Sequence, residues 1–225
     1  MVLSQCLDIR TLNPMAWLAE VVPMAQAVLQ DSAVRSDEPP DDAVDIEDVR
    51  RCRSGDGEAY RRLVERHQGR VASMMWRFSR DPESHEELVQ NVFVEAYVSL
   101  PRYRPTGAFS HWLARIATRV GYRFWKEQAR ERAHPTVSLD EWDHLPADNP
   151  DEMAPSQAAE LLHRLLGQLP PRDRLVLTLQ FLEAHTVEQI ARQTGWSRAM
   201  VKVQSWRARR KLKRLFEQTR REDER

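Results

Sequence analysis

Apolar residues recur every three or four positions through most of the chain after residue 48, and this spacing predicts amphipathic helices. The first predicted helix ends before Asp81-Pro82 and buries one face. The members of that face are Tyr60, Leu63, Val64, His67, Val71, Met74, Met75 and Phe78. A second helix over residues 84–100 begins with a capping pattern formed by Ser84 and Glu87. Its inward face consists of Leu88, Val92, Phe93, Ala96 and Leu100.

A third helix is predicted from Phe109 to about residue 132, with an apolar and a basic side. The apolar side comprises Trp112, Leu113, Ile116, Ala117, Val120 and Phe124, and the basic side comprises Arg115, Arg119, Arg123, Lys126 and Arg130. The aromatic residues near the basic side are Tyr103, Phe109, Tyr122 and Trp125. Cations follow a phosphate backbone and exposed rings stack on unpaired bases, so this segment suits opening or single-stranded DNA. The alternative is that the rings belong to the hydrophobic core and the arginines only keep the surface soluble. We favour this alternative for Trp112 and Phe124, and it stays open for Tyr122 and Trp125.

The C-terminal part of the chain predicts a helix-turn-helix preceded by helices over residues 156–169 and 172–181. Thr186 and Gln189 form a capping box, Gly195 supplies the turn, and Ser197 caps a long second helix. We expect Val187, Ile190 and Ala191 to be buried. The second helix is rich in cations and free of acids as far as residue 215: Arg198, Lys202, Arg207, Arg209, Arg210, Lys211, Lys213 and Arg214. A capped turn followed by such a helix is typical of a recognition helix in the major groove.

Charge is segregated along the chain, although the 34 basic and 34 acidic residues balance to a net charge of zero. Residues 36–48 and 134–155 are acidic, and neither segment contains Lys or Arg. The first segment, with the preceding residues, is interpreted as a poorly ordered extension over 1–47, and the second as a flexible linker. We therefore expect an all-α chain with two small helical domains, at 48–133 and 156–218, and a tail at 219–225.

Several classes of protein are disfavoured by composition. The two cysteines and seven scattered histidines lack disulfide or metal-ligand spacing. No nucleophile with its base, paired carboxylates or phosphate-binding glycine loop is present, so we expect no enzymatic activity, cofactor or metal. The apolar stretch over 15–30 is interrupted and shorter than a membrane span, and no signal peptide is recognised. A cytoplasmic protein without membrane insertion is expected.

The motifs of both predicted domains resemble those of bacterial sigma factors of the extracytoplasmic-function class, which carry only regions 2 and 4. In region 2 the resemblance rests on ELVQNVF at 87–93, LPRY at 100–103 and FSHWLARIA at 109–117. In region 4 it rests on LPPR at 169–172, EQIA at 188–191, GWS at 195–197, VK at 201–202 and RAR at 207–209. The resemblance covers about residues 57–217 and implies a winged-helix-like region 4 that contains the helix-turn-helix.

The resemblance also implies roles for particular surfaces. The outer face of the second helix would dock on the coiled coil of the largest subunit of RNA polymerase core: Glu86, Glu87, Gln90, Asn91 and Glu95. The loop over 104–110 would hold a flipped base of the minus-10 element, and the following helix would contact the opening strand. Region 2 candidates are Arg104, Phe109, Arg115, Arg119, Tyr122, Arg123, Trp125 and Lys126. Region 4 would read the minus-35 element and rest on the polymerase flap; its candidates are Ser197, Arg198, Lys202, Gln204, Arg207, Arg209 and Arg210.

This chain departs from the common pattern in two places. Asn91 stands where many relatives have an acid, and the usual KSRL of the recognition helix is replaced by KVQS at 202–205. Gln204 would pair with adenine rather than guanine. Ser205 weakens the core stripe, leaving Val201, Ala208 and Leu212 to hold it.

Two further questions stay open at this level. A helix-turn-helix regulator that binds an operator is the alternative to a sigma factor, but it leaves the outer face of the second helix unexplained. An anti-sigma protein that masks the polymerase-binding faces is a possible partner, and no separate site for it is recognised. Residues 1–47 are expected to be accessory to polymerase binding and transcription.

Overall fold

The computed structural model describes residues 42–105, 107–133 and 155–223. Within these residues the chain is helical, with no β-strand. The helices are α1 Asp42–Arg53, α2 Gly57–Met75, α3 Pro82–Ser99, α4 Phe109–Ala133, α5 Pro155–Gly167, α6 Pro171–Leu177, α7 Val187–Thr194 and α8 Arg198–Asp223. A single 3₁₀ turn, Leu100–Arg102, follows α3, and a π-helical turn, Thr178–Leu182, follows α6.

The chain divides into two compact units. Of the described residues, the first unit contains 42–128, and the second contains most of the remainder, including α5, α6 and α8. The predicted acidic linker lies outside the described residues except for Pro155, the first residue of α5. Most of the predicted extension, residues 1–41, also lies outside them.

Folding begins earlier than predicted, because α1 starts at Asp42 and not near Asp48. Asp45 and Asp48 are 0% and 5% exposed. Asp45 accepts from Arg66 Nε at 3.0 Å and lies 2.8 Å from His67 Nε2. Asp48 accepts from Arg62 Nη2 at 2.6 Å and from Arg66 Nη2 at 2.5 Å. The expectation that this acidic segment is poorly ordered is wrong for these two acids, because α2 supplies cations that compensate for their burial.

The pKa of Asp48 reflects the same contacts. Burial alone would raise it, but the hydrogen bonds and positive charges of Arg66 and Arg62 outweigh burial and hold the pKa of this carboxyl below its ordinary value. Asp48 therefore stabilises the folded first unit as a carboxylate. Deletion of residues 1–47 would remove Asp45 from the cluster, so residues 42–47 belong to the folded unit.

Helices α2 and α3 bury the faces that periodicity predicts. Leu63, His67, Val71, Met75 and Phe78 are buried on the first face, whereas its remaining members are only half-buried. On α3 the buried residues are Leu88, Val92 and Ala96, followed by Leu100, while Phe93 is half-buried.

The start of α3 differs from the prediction. Its N-cap is Asp81, whose Oδ2 accepts from the Ser84 amide at 2.8 Å, and Pro82 occupies the first turn. An acid before a proline at the first helical position is a stronger helix start than a serine two residues later. The expected capping box of Ser84 and Glu87 is therefore wrong.

Helix α4 approaches the end of α2 closely at Gly121. A Cβ added at Gly121 would lie 2.3 Å from Phe78 Cδ1. Phe78 in turn packs against Trp125 with 4.4 Å between ring centroids. Glycine is required at this position because no space remains for a side chain.

The second unit is held together by α5, α6 and α8. Its core includes Leu162, Leu165, Leu175, Val176, Ile190, Val201, Ala208, Leu212 and Phe216. The helix predicted over 172–181 is divided into α6 and the π-helical turn. Ser205 lies in the core stripe of α8 at 5% exposure, as the sequence predicted.

The predicted helix-turn-helix signals are confirmed. Thr186 N donates to Gln189 Oε1 at 2.7 Å, and Gln189 N donates to Thr186 Oγ1 at 3.3 Å, which forms the capping box. Gly195 has a φ of +77°, which a glycine adopts without strain. Ser197 Oγ accepts from the Met200 amide at 3.2 Å. Ile190 is buried, but Val187 and Ala191 are only half-buried.

Candidate nucleic-acid and protein-binding surfaces

The basic side of α4 is exposed over its whole length. Its cations recur about once per turn on one face, and all of them are exposed: Arg115, Arg119, Arg123, Lys126 and Arg130. The Lys126 ammonium lies 6.0 Å from the ring centroid of half-buried Tyr122. Such a stripe can follow a phosphate backbone, and Tyr122 is placed beside it.

Two aromatic candidates on α4 belong to the core instead. Trp125 is 2% exposed, and its Nε1 donates to the Phe78 carbonyl at 2.8 Å. Phe109 is also 2% exposed, with its ring 5.2 Å from His67 and 5.3 Å from Trp112. Neither ring can stack on a base in this structure. The expectation that these two rings lie beside the basic side is therefore wrong, because His67 and the Phe78 carbonyl, both distant in sequence, hold them in the core. Their part in DNA binding stays a prediction.

The loop before α4 is fixed by α1 and by its own aromatic residue. Tyr103 is 3% exposed, and its hydroxyl donates to the Gly107 carbonyl at 3.1 Å. Burial raises the pKa of the Tyr103 phenol, so it remains a hydrogen-bond donor at neutral pH. Arg53 on α1 donates to the Leu100 carbonyl at 3.0 Å and to the Tyr103 carbonyl. Arg104 is exposed on this supported loop.

The outer face of α3 is polar in its first half and apolar in its second. Glu86, Glu87 and Gln90 are exposed, and Gln90 Nε2 donates to Glu86 Oε1 at 3.3 Å. Asn91 and Glu95 are half-buried. Val94, Tyr97 and Val98 follow on the exposed side at 61%, 58% and 71% exposure. We call Glu86, Glu87, Gln90, Val94, Tyr97 and Val98 the α3 face.

The apolar half of the α3 face was missed from the sequence. The signal was present, because these three residues lie outside the buried period of Leu88, Val92 and Ala96. Apolar residues on both sides of a helix indicate a second packing partner, and contiguous exposed apolar groups mark an interaction surface.

Glu95 and Arg123 were assigned to two different partners, but the structure brings them together. Arg123 Nη2 lies 2.5 Å from Glu95 Oε1. Because the Arg123 side chain is 52% exposed, this ion pair is screened by solvent and can exchange for a phosphate contact at little cost.

On α8 the exposed face contains most of the predicted DNA-binding residues. Ser197, Arg198, Lys202, Arg207 and Arg210 are exposed. Arg209 is half-buried, and its guanidinium lies 5.4 Å from the ring centroid of Phe181. Arg209 therefore packs against Phe181 within the second unit. The exposed cations of α8 remain available for phosphates or base edges.

Gln204 does not lie on the exposed face. Its Nε2 donates to Asp173 Oδ1 at 2.6 Å, and Lys211 Nζ lies 2.5 Å from Asp173 Oδ2. Asp173 is 1% exposed. The amide of Gln204 satisfies part of the hydrogen-bonding capacity of this buried carboxylate. The reading of adenine by Gln204 stays a prediction, and this contact does not favour it. No local pattern could reveal this, because Asp173 is on α6.

Two apolar side chains occupy the exposed face of α8 beside the cations. Val203 is 49% exposed, and Trp206 is 58% exposed. The Arg210 guanidinium lies 4.7 Å from the Trp206 ring centroid. We call Lys202, Val203, Trp206, Arg207 and Arg210 the α8 face.

The comparisons with known proteins identify the family. Sigma-70 region 2 matches residues 63–131, and Sigma-70 region 4 matches residues 159–212. The ECF RNA polymerase sigma-E factor of Haemophilus influenzae is 31% identical over 152 residues, covering 64% of this chain and 79% of that protein. The corresponding factor of Escherichia coli is 29% identical over 151 residues, covering 64% and 78%. The structure of CnrH in complex with the cytosolic domain of CnrY is similar in fold, with a TM-score of 0.51, 23% identity, and coverage of 79% of this chain and 97% of that one.

The chain therefore belongs to the sigma-70 family and, within it, to the extracytoplasmic-function class. It is a sigma factor, and directing promoter-specific transcription by RNA polymerase is the activity of that family. A stand-alone operator-binding regulator is not favoured. In the part of the chain that the structure describes, no helix is long and apolar enough to cross a membrane. The same residues contain no group of three or more potential metal ligands.

Proposed function

We propose that the first unit binds polymerase core through the α3 face and the minus-10 element through the basic side of α4. The observation that carries this proposal is the presence of the α3 face and of the cations from Arg115 to Lys126 in one compact unit. The acidic and apolar α3 face suits a protein partner, and the exposed cations from Arg115 to Arg130 suit a phosphate backbone. Polymerase and the opening strand would then be bound by adjacent helices.

The second unit places the α8 face in the major groove of the minus-35 element and rests its flank on the polymerase flap. Capping by Ser197 and the turn at Gly195 orient the start of α8, where a recognition helix contacts base edges. A polymerase subunit acts on chromosomal DNA, which locates the protein in the cytoplasm. An anti-sigma protein, where one exists, would cover the α3 face.

Run-off transcription with purified core polymerase tests the proposal. The full chain, added to core, should produce promoter-specific transcripts from a template on which core alone is inactive. The variant Val98→Asp should lower binding to core, because it puts a charge in the exposed apolar half of the α3 face. The double variant Arg115→Ala and Arg119→Ala should bind core normally and open promoters poorly.

Arg61→Ala provides a matched control. Arg61 is an exposed arginine of the first unit that pairs with Glu58 and Glu65 on its own helix at 2.8 and 3.0 Å. This variant should transcribe like the parent chain. Loss of core binding in the double variant, or unchanged opening in it, would show that the two surfaces are assigned wrongly.

A further inference from the structure

The α8 face contains an exposed aliphatic side chain, Val203, next to the residue that was expected to read a base. Val203 lies within the first two turns of α8, next to Lys202 and one turn before Arg207. Recognition helices contact base edges through this N-terminal part. Trp206 lies further along the helix and contacts the Arg210 guanidinium, so Val203 is the exposed apolar residue of the α8 face nearest the start of α8.

The neighbouring polar residue is not available to read bases. Gln204 is bonded to buried Asp173 at 2.6 Å and holds α8 against α6. The chain therefore presents two γ-methyl groups, rather than an amide, to the groove at this turn. Valine has a lower helix propensity than alanine, and half of this side chain is exposed to water.

We propose that Val203 reads the 5-methyl group of a thymine in the upstream promoter element. In the major groove thymine alone among the four bases presents a methyl group, and aliphatic side chains contact it. Lys202 and Arg207 on either side would supply the phosphate or base contacts that bring α8 close enough. This inference rests on the proposed function of the second unit.

The size of the effect follows from the area of one methyl group. Burying one such group between a protein and a base strengthens binding by about fourfold. Replacing the thymine by deoxyuridine removes only this methyl and leaves base pairing intact. The expected loss at the contacted position is therefore about fourfold in Kd.

The test begins with selection of promoters from a library randomised in the upstream element, using the full chain bound to core polymerase. Each thymine of the selected sequence is then replaced singly by deoxyuridine, and the Kd of the holoenzyme is measured for every duplex. The same series is measured with Val203→Ala, which removes both γ-methyl groups, and with Val203→Thr, which keeps one. Val44→Ala is the matched control, because Val44 is 45% exposed on α1, a helix that carries none of the proposed DNA contacts.

The proposal expects one thymine whose replacement weakens binding about fourfold with the parent chain, Val203→Thr and Val44→Ala, but not with Val203→Ala. It is overturned if no replacement weakens binding, or if Val203→Ala keeps the sensitivity. It is also overturned if Val203→Ala weakens binding equally to all sequences, since that result indicates loss of folding or of phosphate contacts. If no sequence is selected at all, the proposed function of the second unit fails as well.

Discussion

Asp48→Asn should destabilise the first unit more than an acid-to-amide substitution at an exposed position would. Asp48 Oδ1 accepts from Arg62, and Oδ2 accepts from Arg66, at 2.6 and 2.5 Å. The amide keeps the shape of the carboxylate and one acceptor, but it removes the negative charge and turns an NH₂ group towards a guanidinium. The substitution therefore breaks a buried charge-assisted contact without changing the packing volume.

The magnitude follows from the exposure of the partners. Hydrogen bonds to charged groups contribute about 1.5 to 3 kcal/mol each, and leaving a buried charge unpaired costs about 3 to 5 kcal/mol. The side chains of Arg62 and Arg66 are 38% and 27% exposed, so water recovers part of the loss, and Arg66 keeps its contact with Asp45. We expect a loss of about 2 to 3 kcal/mol in the free energy of unfolding of the first unit.

Hydrogen exchange of the amides of α2 during a urea titration measures this loss in the first unit alone. That choice matters because a chain with two units need not unfold in one transition. Glu65→Gln is the matched control: Glu65 lies on α2, is 53% exposed and pairs with Arg61 at 3.0 Å. Its loss should stay below about 0.5 kcal/mol. Equal losses for the two variants would refute the conclusion that α1 is anchored by buried ion pairs.

Three other predictions concern stability and base reading. The pKa of Asp48 is lowered in the folded state, so its contribution to the free energy of unfolding should be complete above the unfolded pKa of about 4. This contribution should disappear as the pH falls through the folded pKa. Urea titrations of the parent chain and of Asp48→Asn should therefore converge in acid. Gly121→Ala should cost about 1 to 3 kcal/mol because its Cβ overlaps Phe78, while Gly167→Ala, with nothing within 4 Å, should cost nothing by thermal unfolding. Gln204→Ala should destabilise the second unit by about 1 kcal/mol and leave the selected promoter sequence unchanged; a changed base preference would contradict the contact with Asp173.

The candidate surfaces were predictable where the evidence was local. The cations of α4 recur about once per turn, and this period alone puts them on one exposed side. The caps at Thr186 and Ser197 and the turn at Gly195 are likewise determined within a few residues. The apolar half of the α3 face was also predictable from the sequence, because Val94, Tyr97 and Val98 form a second apolar stripe on α3 beside the buried one.

The sequence by itself determined the all-helical class, the helix-turn-helix and the two basic helix faces, because helical period, capping and turn chemistry act between near neighbours. Only the tertiary structure decided which polar and aromatic groups face inwards. Trp125 bonds to a carbonyl 47 residues away, and Gln204 bonds to an acid 31 residues away. Asp45 and Asp48 are buried because cations of α2 compensate for them. The burial of a side chain depends on partners brought together by packing, and the spacing along one helix does not contain that information.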